Sequence, residues 1–319
     1  MNKRLIPFAT ALLIFPLSAS ANDDIAKPLR TSASSPFQST RLSTQLESAF
    51  MSNQSEFYLT NSASSIWAHS DGNSFDYYQS NMTVGMKVAT GEKFTTGIEY
   101  QYTWANNNGL DSLVMNFHDL IGVGQNGRDE VEEDGFHIAS DRYGVQLDDF
   151  EDEVLVKALK MDLQYHWYQT ETEALSFTGL VYFNQPGQDS FVSDTFEYGV
   201  QVNYSKVIND HSFHSTFGVI KRSDDSSLED LDIVNITTEL GLGYVYSLTK
   251  NHHFIAEYYI FQGALDDGSA FSKPSQEITL GYRYNFVDLG AVEFSTTENI
   301  GNMDNSTDIM FTLGLRLFL

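Results

Sequence analysis

Phe94-Thr-Thr-Gly-Ile-Glu-Tyr-Gln-Tyr-Thr-Trp104 decides the fold. Its even positions are Phe94, Thr96, Ile98, Tyr100, Tyr102 and Trp104, and its odd ones are Thr95, Gly97, Glu99, Gln101 and Thr103. Successive side chains of a β-strand point to opposite faces, so this is a strand with one greasy and one polar side. A chain built from many such strands is either a soluble sheet protein or a barrel with its outer face in lipid.

The alternation recurs along the chain. In Tyr78 to Val88, Met82, Val84, Met86 and Val88 oppose Asn81, Thr83, Gly85 and Lys87. In Leu155 to Trp167, Leu159, Met161, Leu163, Tyr165 and Trp167 oppose Lys160, Asp162, Gln164 and His166. Phe196 to Tyr204, Phe213 to Val219, Val234 to Leu248, Ile278 to Phe286 and Val292 to Thr296 behave likewise. Candidate strands fall near 55–67, 76–89, 94–104, 153–167, 174–183, 193–206, 211–221, 232–248, 252–262, 274–286, 290–299 and 307–319. The number is even and most strands have ten residues or more, as tilted strands crossing a bilayer require. The first is the least patterned, because Thr60 to Ser65 has no apolar face.

Connections alternate in length. Short turns at 90–93, 171–173, 209–210, 250–251 and 288–290 separate longer polar links at 68–75, 105–152, 184–192, 222–231, 264–273 and 300–306. Short periplasmic turns and long external loops are the habit of outer-membrane barrels. The expectation is therefore an all-β, transmembrane, antiparallel up-and-down β-barrel of about twelve strands over residues 54–319, with both ends periplasmic. The last strand alternates from Ile309 to Leu319, although the chain ends on Leu319 with the aromatic Phe318 one place earlier.

Met1 to Ala21 read as a secretory signal peptide: Lys3 and Arg4, an apolar run, then Ala19-Ser20-Ala21. Cleavage near Ala21 leaves 22–53 as a periplasmic N-terminal segment and places the chain in the outer membrane of a Gram-negative bacterium. The formal charge of -25 becomes -27 once two of the 18 basic residues leave, 16 facing 43 acidic ones. Such a field excludes a nucleic-acid partner. The chain has no cysteine, so a closed ladder rather than disulfides must supply its order.

Residues 105–152 form the one long link that reads as neither strand nor turn. Leu110, Leu113, Val114, Phe117, Leu120 and Ile121 follow helical spacing and predict one short amphipathic helix in a long extracellular loop, able to plug the mouth or to lie on the outer leaflet. Phe117-His118-Asp119-Leu120-Ile121-Gly122, followed by Asn126-Gly127-Arg128, resembles an uncharacterised proteobacterial outer-membrane protein family, domain of unknown function 3187. The resemblance implies an outer-membrane barrel and no established activity. It marks Phe117, His118, Asp119, Gly122, Gly127 and Arg128 as the family-motif loop. Gly122-x-Gly124-x-x-Gly127 is not a dinucleotide site, since it follows a helix and leads into an acidic run. That run carries eleven acidic residues between Asp129 and Glu153. It is read as a solvated loop, with divalent-cation binding left open.

The inward face, by the same register, carries Lys87, Glu99, Lys160, Asp162, His166, Glu197, Glu239, Glu257, Glu277, Arg283, Glu293 and Arg316 as lumen-lining candidates. Charges of that number cannot sit in a dry sandwich core, which argues for a lumen. No G-x-S-x-G or thiol is present, and Asp162 with His166 on one strand make no triad. His211 with His214, and His252 with His253, read as turn polarity rather than metal ligands. The favoured function is a narrow passive channel or uptake pore for small polar solutes, with no cofactor. Its partners are outer-membrane lipid, lipopolysaccharide and the outer-membrane assembly machinery. A barrel with a structural or surface-contact role, and a membrane-embedded hydrolase, are the alternatives.

Overall fold

The computed structural model describes residues 27–70, 72–110, 135–187, 191, 194–223, 231–286, 289–305 and 307–319. Fourteen strands are present among them: β1 Glu56–Ser70, β2 Asn73–Thr90, β3 Phe94–Ala105, β4 His137–Ser140, β5 Val145–Asp148, β6 Val154–Gln169, β7 Glu173–Asn184, β8 Thr195–Ile208, β9 His211–Lys221, β10 Ile236–Ser247, β11 His252–Phe261, β12 Ser275–Asn285, β13 Gly290–Asn299 and β14 Ile309–Phe318. All but β4 and β5 form the wall, each antiparallel to its chain neighbours. β1 pairs with both β2 and β14, the latter from Glu56 opposite Phe318 to Ser65 opposite Ile309. The wall is thus a closed twelve-stranded barrel with no free edge.

The outer surface has the composition of a lipid-facing band. Leu163, Val200, Leu280 and Leu313 are 50–63% exposed around its middle. Aromatic rings flank it, with Phe94, Trp167, Tyr204, Phe213 and Phe254 towards the short-turn end and Phe183, Phe196 and Tyr198 towards the loop end. Neighbouring rings across strands touch, as in Phe183 with Phe196 at 4.6 Å and Phe213 with Tyr244 at 5.3 Å between centroids. A continuous apolar belt between two aromatic girdles suits a bilayer and not water.

Three features depart from the sequence reading. The link placed at 68–75 is mostly strand, because β1 and β2 stay paired out to Ser70 opposite Asn73. Gly72, at φ +76°, takes the left-handed turn that so short a hairpin needs. The long link contains a hairpin, β4 and β5, which extends β2 by pairing Asn73 to Asp76 with Ser140 to His137. Of the helix expected over 110–121 only Leu110 lies within the described residues, and the signal peptide lies outside them. The third departure is the largest: residues 27–53, expected in the periplasm, run inside the barrel.

At the loop end the barrel is roofed by an apolar cluster. Phe75, Tyr77, Ile138, Phe150, Leu155, Tyr182, Phe191, Leu265 and Phe271 meet there, with Phe37 and Leu42 of the inner segment. The weakly patterned first strand is explained on its other side. Ala63 and the outward Tyr78, Ile309 and Phe311 pack with Leu110 and Phe136 from the long link. Asn108 donates to the carbonyls of Ser64 and Gln79, 3.2 Å each. Here β1 faces protein, so its outer side does not need to be greasy.

Candidate functional site

Residues 27–53 fold back on themselves within the barrel. An ascending limb, Lys27 to Ser35, rises from the short-turn end. A four-residue helix, Pro36–Ser39 (α1), turns at the top beneath the apolar roof. A descending limb, Thr40 to Asn53, returns to β1. The limbs are joined by the Arg30–Glu47 ion pair at 3.0 Å and by Gln45 donating to Thr31 O at 3.0 Å.

Neither limb forms a ladder with the wall, so wall side chains must satisfy its backbone. Carboxylates take the N–H groups. Glu257 accepts from Leu29 at 2.7 Å, Glu277 from Ser35 at 2.8 Å and Ser34 at 3.1 Å, Glu197 from Leu42 at 2.8 Å, and Glu239 from Thr44 at 2.6 Å. Hydroxyls and an amide continue the series below: Ala49 donates to Ser205 at 2.9 Å and Met51 to Gln169 at 2.8 Å. The carbonyls are met by cationic and amide donors. Arg283 donates to Lys27 O and Pro28 O at 2.8 and 3.0 Å, Arg316 to Pro28 O, Arg222 to Leu42 O, Gln101 to Ser39 O at 3.2 Å and Gln164 to Ser48 O at 2.9 Å.

Two ionic clusters fix the limbs. In the lower one Glu56 meets Lys27 at 3.2 Å, Arg30 at 2.9 Å and Arg316 at 3.5 Å. Glu47 bridges Arg30 to Lys87, whose Nζ lies 2.5 Å from Glu47 and 3.3 Å from Asp162. Glu293 pairs with Arg283 at 2.6 Å and Arg316 at 2.9 Å, and Lys160 with Glu99 at 2.7 Å. In the upper cluster Glu197 holds Arg41 at 2.7 Å and Arg222 at 3.5 Å, while Arg222 also meets Glu239 at 2.9 Å. Arg30 also lies over the Tyr58 ring, 4.9 Å from its centroid, and Lys27 over Phe318 at 5.8 Å.

Apolar contacts complete the fit. Leu29 packs on Val245 and Ile255, and Leu46 on Tyr259 and Phe261. Burial of a leucine contributes about 1.5–3 kcal/mol. Inward glycines make the room: a Cβ on Gly281 would sit 2.6 Å from Leu29 Cδ1, and one on Gly218 would overlap Thr44 Cγ2. Between Thr31, Ala33, Thr44, Tyr259 and Glu277 the leftover space is about 10 Å³, scarcely one water.

All twelve lumen-lining candidates are inward and buried, Lys160 the most accessible at 9%. They do not line an open bore: most of them grip the inner segment or its ionic partners. His166 is held between Thr95 Oγ1 and Ala49 O, 2.9 Å from each, so it serves the descending limb. His211 and His252 bond the hydroxyls of Tyr244 and Tyr282, and His214 bonds Ser205. Phe117, His118, Asp119, Gly122, Gly127 and Arg128 lie outside the described residues, as does the first part of the acidic run.

Sequence reasoning missed Glu56, Tyr58 and Arg222 on the wall and Arg30, Arg41 and Glu47 on the segment. One signal was available. The twelve candidates hold seven carboxylates against four Lys or Arg, an imbalance that buried charges do not tolerate without cations from elsewhere.

A family model described as "Protein of unknown function (DUF3187)" matches residues 5–318. No curated protein matches the chain. Among solved structures, the COG4313 outer membrane channel from Pseudomonas putida F1 is similar at TM-score 0.55 and 9% identity, over 85% of this chain and 97% of that one. The NanC porin is similar at TM-score 0.49 and 10% identity, over 82% of this chain and 100% of that one. At this identity the likeness is one of fold.

Proposed function

Since the chain belongs to the DUF3187 family, whose function is open, we propose from its own geometry that it is an outer-membrane channel for small polar solutes, closed by its N-terminal segment. The observation that carries this reading is how the segment is held. It runs inside the lumen, yet the hydrogen bonds and ion pairs described above that fix it there are made through side chains, and among the described residues no strand pairing ties it to the wall. A plug of this kind can leave without breaking the barrel. If the signal is cleaved near Ala21, the ascending limb also has a free end at the short-turn mouth, and the segment withdraws in that direction. The channel fold of the Pseudomonas putida F1 neighbour and the apolar outer belt support a place in the outer membrane, with lipid and lipopolysaccharide around it.

Reconstitution in planar bilayers tests the reading. The unsubstituted mature chain should open rarely. An Arg30→Ala, Arg41→Ala chain loses one cation each at Glu56, Glu47 and Glu197, and its open population should rise by about 100-fold, the effect of about 3 kcal/mol. A substituted chain that inserts and never conducts overturns the channel reading. It would favour the second reading that the filled lumen and apolar roof support, a closed barrel with a structural or surface-contact role.

A further inference from the structure

We infer that the lumen is a binding groove for an extended, cation-bearing peptide, with residues 27–53 as its tethered occupant. A free peptide of the same chemistry is then its ligand. The inference rests on the reading that the segment can leave.

The wall reads a polypeptide main chain. Glu257, Glu277, Glu197 and Glu239 accept backbone N–H groups at intervals along both limbs, from Leu29, Ser35, Leu42 and Thr44, while Arg283 and Gln164 donate to carbonyls. Those bonds are indifferent to the side chains of the occupant. They require only a chain running extended along the wall, the condition under which N–H and C=O groups are presented without internal partners. A filled carbohydrate or salt-bridged lumen would show neither the paired N–H and C=O recognition nor the glycine gaps that receive Leu29 and Thr44.

Charge selects which chain. Without the segment, Glu56, Glu99, Asp162, Glu197, Glu239, Glu257, Glu277 and Glu293 would face Lys87, Lys160, Arg222, Arg283 and Arg316, eight carboxylates against five cations. The segment brings three cations and one carboxylate, Glu47, and so narrows the excess from three to one at defined places: Lys27 and Arg30 at Glu56, and Arg41 at Glu197. An incoming chain with basic residues at similar spacing meets the same excess of carboxylates, and an anionic one is repelled. Because the resident segment is covalently attached, its effective concentration is on the order of millimolar, so a free peptide binds well only where the segment has been loosened.

The test is fluorescence anisotropy on the full mature chain in detergent, with a labelled synthetic peptide of the sequence of residues 27–45 as probe. Two loosened chains are used, Arg30→Ala with Arg41→Ala, and the isosteric Glu47→Gln; slower or faster gel migration before boiling verifies that each is folded. Binding to the loosened chains should be at least ten-fold tighter than to the unsubstituted chain. It should weaken at least ten-fold when the peptide's Lys27, Arg30 and Arg41 are all glutamine. Equal binding of the neutral peptide, or no binding by either folded chain, overturns the inference. Conductance without charge-dependent binding would leave the channel and remove the peptide groove. Charge-dependent binding without conductance would do the reverse.

Discussion

Arg30 is where the two limbs, the wall and the charge balance meet. It pairs with Glu47 across the bend and with Glu56 on β1, and it covers Tyr58. Breaking a buried pair by removing one partner costs about 3–5 kcal/mol, but Glu56 keeps Lys27 and Arg316, and Glu47 keeps Lys87. We therefore expect Arg30→Ala to cost the docked segment about 2–3 kcal/mol. Hydrogen exchange over residues 27–53 would show this as an acceleration of about 30- to 100-fold with the wall strands unaffected; equal acceleration in the wall would refute it. Gly281→Val attacks the same segment by volume. Its side chain must displace Leu29, and overpacking of this kind costs about 1–3 kcal/mol. The expected result is again faster exchange in the ascending limb, with the heat-dependent gel shift of the barrel unchanged. The inward face was legible in the sequence because alternation alone fixes which side a strand residue takes. Glu56 and Arg222 were not, since Glu56 opens the strand whose stretch from Thr60 to Ser65 has no apolar face and Arg222 follows the last residue of β9.

Among the elements, the wall strands were the most legible part of the fold, their ends falling within a few residues of the positions read from alternation. What escaped was the element without a period. Thr31-Ser-Ala-Ser-Ser35 and Gln38-Ser-Thr-Arg-Leu-Ser-Thr-Gln45 are small and polar, like a linker, because their partners are carboxylates and amides rather than an apolar core. The loop-end roof offers two tests. Phe37 stacks edge-on with Phe75 and Phe271, 5.5 and 5.1 Å between centroids. Phe37→Ala should destabilise the docked segment by about 3 kcal/mol, read as protease cleavage near α1 in folded protein. The β4–β5 hairpin is clamped to the 264–273 loop through Asp267, which accepts from Ser269, Ser272 and Tyr143. Partial burial works upward on its carboxyl, but those hydrogen bonds hold it below its ordinary value. A lowered folded pKa gives stability that is present above the unfolded value, about 3.9, and lost as pH falls through the folded one. Hydrogen exchange across 136–148, corrected for intrinsic rates, should therefore quicken below about pH 4 in the native chain. In an Asp267→Asn chain it should be fast already at pH 6; a pH-independent roof would refute the clamp.

The whole molecule is a closed ladder around a filled interior, two structures of unlike stability. Hydrogen-bonded strands with no edge resist detergent, so unboiled and boiled protein should run at different positions on a denaturing gel. The inner segment, held through side chains and, among the described residues, by no strand pairing, should be lost first, and its exchange should precede any change in that mobility. The bend of the segment also imposes a sequence of events on folding. Its descending limb is continuous with β1, and β1 closes the wall against β14, with Ser55 and Leu319 exchanging hydrogen bonds of 3.1 and 2.8 Å at the seam. Once that seam is shut, a doubled chain can no longer be laid sideways against the wall and can only thread through a mouth. Pulse-labelled refolding should accordingly show residues 27–53 gaining protection together with β1 and β14, not after them, so that the occupant acts as the mandrel on which the cylinder is closed. A segment that becomes protected only once the seam is complete would establish threading instead.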